Sequence, residues 1–425
     1  MLRDGSVTAA ELHASAIERI ERYDRVVNAV VIPLFDRPAR GVPMLLKDAG
    51  QELAGTPHWV GVAALRDARH RSPTTTALAE RFECAGFSIV GKGACPALAN
   101  GATTEPRGFE PTRNPWDLTR SAGGSSGGPA AAVASGMVPI AHGSDATGSL
   151  RCPAALCGLA TLNPTAGRIS GVPPAGQPPN PAWRDFVLAR HAEDLGAVFT
   201  ALTGSVPAAA TGPLRVGLLD HDPETGLDVH PACSEAVHRA GAMLEALGHH
   251  VEIAWPGALE HLWSDVSNAF VVTSDAVRPP VIRWMSDRLG RPVRRGELDD
   301  AVFDAAERHA ARDESGLHGA RQAIADATAR IVVWWDDHDL LVTPTTFQPA
   351  WPLGGNPGPR EMGTLLAPFS LTGQPALSLP LHHTNGGLPV GVQLVAAHGA
   401  DEMLLRLAED LQTAADWTLR RPQLS

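Results

Sequence analysis

The chain has 425 residues, 44% of them hydrophobic, and a formal net charge of −11 at pH 7. That acidic balance excludes binding of nucleic acid or an anionic membrane through a general basic surface, which needs an excess of Lys and Arg. No apolar run reaches the ~18 residues that would span a bilayer. The five cysteines (Cys84, Cys95, Cys152, Cys157, Cys233) form no CxxC pair and no Cys/His cluster at zinc spacing, so neither a disulfide framework nor a structural metal is indicated.

In chain order, the amino terminus reads as an amphipathic helix, not a signal peptide. It begins at Thr8 with Glu11 as a capping box and carries Leu12, Ala16, Ile20 and Tyr23 on one face. Strand-like runs follow at "NAVVIP" and "GVPMLL", and "ALAERFECAGFSIVGKG" reads as a helix feeding a strand. From 103 to 128 the chain is rich in Gly, Pro, Ser and Thr, so "LTRSAGG" makes a poor strand; "PAAAVASG" then offers a short helix with Pro129 in its first turn. "VPIAHG" is a strand leading into the loop "SDATGSLRCPAALCG". A Pro-rich connection over 171–213 holds one helical passage, "ARHAEDLGAVFTALTG". A βαβ unit begins at "LRVGLLD", helices dominate to about 336, and the end alternates strands with a closing helix. These elements make one large mixed α/β domain over 1–425, with a core of 1–213 and 337–425 and a more separable part over 214–336.

Only two of the 35 basic residues are lysines, Lys47 and Lys92. Guanidinium stays charged at any reachable pH, whereas a desolvated ammonium can lose its proton and act as a base. Lys47, at the end of the apolar run "GVPMLLK", is therefore a candidate base as well as a candidate snorkelling side chain. The block "GGSSGG" fits Gly-x-Ser-x-Gly in two frames, centred on Ser125 and on Ser126. In "SDATGSLR", the successive amides of Ala146, Thr147, Gly148 and Ser149 form a small-residue turn suited to a developing oxyanion.

Taken in this order, "GVPMLLKDAG", "GGSSGGPAAAVASG" and "GSDATGSLRCPAALCG" resemble the amidase signature family, and "TTEPRGFEPTRNPWDLTRSA", "DLLVTPTT" and "FSLTGQPALSLPLHHTNGGLPVGVQLV" extend the likeness across nearly the whole chain. The resemblance implies one mixed, twisted sheet covered by helices on both faces, a cytoplasmic enzyme of bacterial type, and hydrolysis of small amides with water and without a cofactor. It makes Ser149 the nucleophile, Ser125 a relay serine joined to Gly124 by a cis peptide bond, and Lys47 the base. Ser126 hydrogen-bonds within the Lys47 network, Asp145 and Arg151 hold the nucleophile loop, and Ala99, Asn100 and Thr103 border the acyl pocket. Lys92 matches a family lysine and reads as structural.

The chain departs from the family where Thr147 replaces a glycine of the oxyanion loop, where the stretch between "NAVV" and "GVP" is shortened, and in starting late. Within the family, "TTEPRGFEPTRNPWD" and "VPIAHGSD" look like the branch holding 6-aminohexanoate cyclic-dimer hydrolases and related bacterial amidases, whose substrates are small linear or cyclic amides. A glutaminase subunit of a tRNA-dependent amidotransferase is the rival reading. Against it, such subunits carry a Tyr-rich helix, and this chain has a single tyrosine, Tyr23. An amidase-fold acyl transferase or binding protein is the second rival, because of Thr147. A serine hydrolase using His142 as base is the chemical rival; a lone His at a strand end is more often structural. A homodimer is compatible with the sequence.

Overall fold

The computed structural model describes residues 2, 5–169, 180, 182–355, 358–415 and 417–424. The strands are β1 Val30–Pro33, β2 Val42–Lys47, β3 Phe87–Gly93, β4 Arg113–Asn114, β5 Asp117–Ser121, β6 Ile140–Asp145, β7 Ala160–Asn163, β8 Arg184–Ala189, β9 Arg215–Leu218, β10 His250–Ile253, β11 Leu340–Pro344, β12 Ala376–His383 and β13 Pro389–Ala396. Eleven form one sheet in the order β1-β3-β2-β6-β8-β7-β12-β13-β11-β9-β10, and β4 and β5 make a separate ribbon. Parallel pairs join β2 to β3 and β6, and β9 to β10 and β11. The pairs β6–β8, β7–β8, β7–β12 and β12–β13 are antiparallel, so the sheet is mixed. Every residue of β6, β8 and β13 is buried, the mark of a sheet covered on both faces.

The first helix spans Ala9–Val27, with Thr8 as N-cap and the reciprocal Glu11 bond in place. Ala16 and Ile20 are buried, Leu12 and Tyr23 half-buried. The helix after the Gly/Ser block starts earlier than its proline suggests, at Gly127, and runs to Ala134. "DLTRS" corrects the reading of that segment as a poor strand: it forms β5, where the carboxylate of Asp117 accepts from the backbone of Thr119 and closes a tight turn back to β4. Within the stretch expected to be a Pro-rich connection, β8 takes a central place in the sheet. The all-buried residues RDFVLA lack the alternation that marks a half-exposed strand. Of that connection, 171–179 and 181 lie outside the described residues, and the expected helix spans Ala192–Thr203.

Within 214–336, β9 and β10 continue the common sheet through the parallel β9–β11 pair. The helix Arg278–Leu289 places Val281, Trp284 and Met285 in one apolar cluster with Val60, Leu65 and Leu98. Among the described residues, no helix is long and apolar enough to cross a membrane.

Candidate active site

The carboxyl ends of β2 and β6 point the same way, and in open α/β sheets ligands bind beyond such ends. β2 ends in Lys47 and β6 in Asp145, with Leu45 level with Ala141. Lys47 is fully buried, and its Nζ lies 2.7 Å from Ser125 Oγ and 2.9 Å from Ser144 Oγ. Burial disfavours the ammonium and lowers its pKa to about 8, although Cys95, Asp185 and Asp145 act in the opposite direction.

Ser125 is buried, and the peptide joining it to Gly124 is cis. A Cβ on Gly124 would sit 2.7 Å from the Thr103 carbonyl oxygen, so the segment holding Thr103 packs directly on this turn. Among the described residues, Ser126 makes no direct hydrogen bond to Lys47. Its hydroxyl donates to the Ser144 carbonyl and accepts from the Ser144 amide, each at 3.2 Å, so Ser144 links it to the lysine. Ser144 is the site residue that motif reading missed. The register of β2 on β6 is the signal that finds it, since Leu45 opposite Ala141 carries Lys47 level with the end of β6.

The loop after β6 is organised by one buried ion pair. Asp145 accepts from Arg151 Nε and Nη2 at 3.0 Å each, and Arg151 also donates to Gln393 at 2.6 Å and Ser370 at 2.7 Å. Burial alone pushes the Asp145 carboxyl up, but the Arg151 charge and the amides of Gly148 and Leu150 outweigh it and hold the pKa at about 2. The Gly148 amide donates to Asp145 Oδ1 at 2.6 Å, so it is already engaged and differs from the other three amides expected to converge on an oxyanion. No acceptor meets the amides of Ala146, Thr147 or Ser149 among the described residues. Gly148 adopts φ +116°, and a Cβ there would lie 2.4 Å from Leu366. Ser149 is half-buried, and its carbonyl accepts from the Ser126 amide at 3.2 Å, which ties residue 149 to the neighbour of Ser125.

Leu366, Trp351 and Cys152 build an apolar wall here, with Met362 and Ala102 packed on it. Ala99 adopts a left-handed φ of 57°, and the exposed Asn100 accepts from Arg278 Nη2 at 3.3 Å. A cleft of about 490 Å³ lined in part by His230, Trp351 and His382 is not lined by Lys47, Ser125 or Ser149. His142 is buried with both ring nitrogens engaged, by the Lys47 amide and by Asp185, so it has no free nitrogen for Ser149. No group of three or more His, Cys, Asp or Glu able to hold a metal occurs among the described residues.

This sheet, with a buried lysine set between serines beyond the ends of its strands, is that of an amide hydrolase by its family: the chain belongs to the Amidase family, whose profile matches residues 9–405. It is an amidase that cleaves amide C–N bonds. The 6-aminohexanoate-cyclic-dimer hydrolase of Paenarthrobacter ureafaciens is 33% identical to it over 100% of this chain and 95% of its own. A solved structure of 6-aminohexanoate cyclic dimer hydrolase complexed with substrate matches with a TM-score of 0.93 and 32% identity, covering 99% of this chain and 97% of that one. A glutamyl-tRNA(Gln) amidotransferase subunit from Thermotoga maritima matches with a TM-score of 0.80 at 25% identity, over 99% and 96% of the two chains. The glutaminase reading is not favoured.

Proposed function

We propose that the enzyme hydrolyses a small linear or cyclic carboxamide through an acyl-enzyme on Ser149, with Lys47 and Ser125 relaying the proton. The observation that carries this reading is an amine fully buried between two hydroxyls, 2.7 and 2.9 Å away, and depressed to about 8. A serine hydroxyl attacks a carbonyl only when a neighbouring base takes its proton. Neutral Lys47 accepts the proton of Ser125, Ser125 accepts that of Ser149, and Ser149 Oγ bonds to the carbonyl carbon. The amides of Ala146, Thr147 and Ser149 receive the oxyanion, with Gly148 instead bracing Asp145. Collapse breaks the C–N bond, and the departing nitrogen takes the relayed proton back, because an amide anion is too basic to leave unprotonated. Water releases the acid by the reverse path.

The amide class rests on the likeness to 6-aminohexanoate-cyclic-dimer hydrolase and on the apolar wall of Leu366, Trp351 and Met362. Ala99, Asn100 and Thr103 are assigned to the rim of the acyl pocket. We read the whole chain as one working domain, since β9 and β10 extend the sheet that carries the site. The five cysteines form no disulfide, which supports a reducing, cytoplasmic setting. The deciding experiment labels the protein with a serine-directed fluorophosphonate and maps the peptide. The label is expected on Ser149 and absent from Ser149→Ala, which also loses amide hydrolysis; a label on Ser125 or Ser126 sinks the assignment.

A further inference from the structure

The parallel ladder between β2 and β6 covers only Met44 opposite Ile140 and Leu45 opposite Ala141. Past it, the Lys47 amide donates not to a β6 carbonyl but to the ring of His142, Nδ1, at 3.3 Å. An accepting ring nitrogen carries no hydrogen, so the proton of this imidazole is on Nε2. Nε2 donates to Asp185 Oδ1 at 2.9 Å. The other oxygen of Asp185 accepts from the indole of Trp183 at 3.1 Å. The Trp183 ring then lies with its centroid 5.9 Å from Lys47 Nζ. The circuit leaves the lysine at its backbone and returns at its amine. His142 and Asp185 are wholly buried, and the edge of Phe82 packs on the His142 ring.

From this closed circuit we infer that His142, Asp185 and Trp183 are positioning residues that fix Lys47 and set the pH range over which it works as a base. The inference rests on Lys47 being that base. Asp185 is held by the His142 ring and the Trp183 indole, no Lys or Arg contacts it among the described residues, and its charge favours the Lys47 ammonium against the effect of burial. Three other titratable groups face Lys47. Asp145 of β6 is neutralised by Arg151. The Cys95 thiol beyond β3 is pushed up by burial and stays uncharged. The His142 ring turns an accepting nitrogen to the Lys47 amide. Asp185 is thus the unneutralised anion among these groups. Trp183 adds the attraction of a π face, which also favours the charged amine.

Hydrolysis needs the free amine, so removing an anion that stabilises the ammonium makes the amine available at lower pH. In the full-length protein, Asp185→Asn is expected to move the acidic limb of kcat/KM for a chromogenic acyl anilide down by about 0.5–1 pH unit. Trp183→Leu, at a half-buried position, is expected to move it the same way by less. An acidic limb left at the wild-type pH in Trp183→Leu, and in Asp185→Asn where that variant folds, with only the amplitude reduced, overturns the inference. A wild-type profile with no acidic limb, or full activity in Lys47→Met, instead defeats the role of Lys47 itself, so the two failures are distinct.

Discussion

The two lysines of the chain sit one strand apart and one residue out of step, Lys92 opposite Leu46 and Gly93 opposite Lys47. Both are buried, and burial lowers the pKa of each. Their companions differ. Lys92 donates to the Pro57 carbonyl and feels the carboxylates of Asp48 and Glu52, which pull its pKa back up. Lys47 contacts two hydroxyls, each able both to accept a hydrogen bond and to donate one. If Lys47 is the base we propose, desolvation alone does not make one; the neighbours decide whether the proton is pinned or passed on.

Exchanging each lysine for a neutral isostere breaks or upholds this contrast. Lys47→Met is expected to lower kcat/KM between about 10²- and 10⁴-fold, the usual weight of a general base. Lys92→Met should leave turnover per folded molecule within about threefold. It should instead lower urea stability by about 1–3 kcal/mol, because the Pro57 carbonyl loses its buried partner. Equal losses of turnover in the two variants would erase the distinction. Lys47→Arg sharpens it, since a guanidinium holds its proton and should restore no activity.

The next effect in size tests the loop that presents Ser149. Asp145→Asn leaves the buried Arg151 charge without its anion, and is expected to cost about 3–5 kcal/mol in urea unfolding. In the wild type the native carboxyl titrates below its unfolded value. Its stabilisation is thus complete above about pH 4 and fades as pH falls toward about 2. On the proposed mechanism the pH dependence of activity is set elsewhere, by Lys47: kcat/KM should rise with pH and level off above about 8.

The residues we propose for the chemistry could be nominated from the sequence because they sit in short blocks. Lys47 ends an apolar run, the "GGSSGG" block holds Ser125 and Ser126, and "SDATGSLR" holds Asp145, Ser149 and Arg151. The fold class was legible from the βαβ unit at 214–253 and the alternating strands at the end of the chain. What was hidden depends on pairing between distant strands. The site role of Ser144 appears only once β2 and β6 are placed side by side, and β8 only when a buried strand without alternation is allowed beside a Pro-rich stretch. Whether an amide is free is equally invisible, and Gly148 is the case in point, its N–H turned into Asp145.

The smallest effect concerns Ser144, the second hydroxyl on Lys47. Ser126 holds Ser144 by its backbone, so Ser144→Ala leaves that bracing in place and removes one acceptor from the amine. If Ser144 only steadies Lys47, kcat/KM should fall about threefold to tenfold, the worth of one such hydrogen bond, with the acidic limb moved slightly to lower pH. Ser125→Ala, which interrupts the proposed relay, should cost at least tenfold more than that. A Ser144→Ala loss as deep as that of Ser125→Ala would mean that the proton travels by way of residue 144, and that the two hydroxyls on Lys47 have exchanged the roles assigned to them.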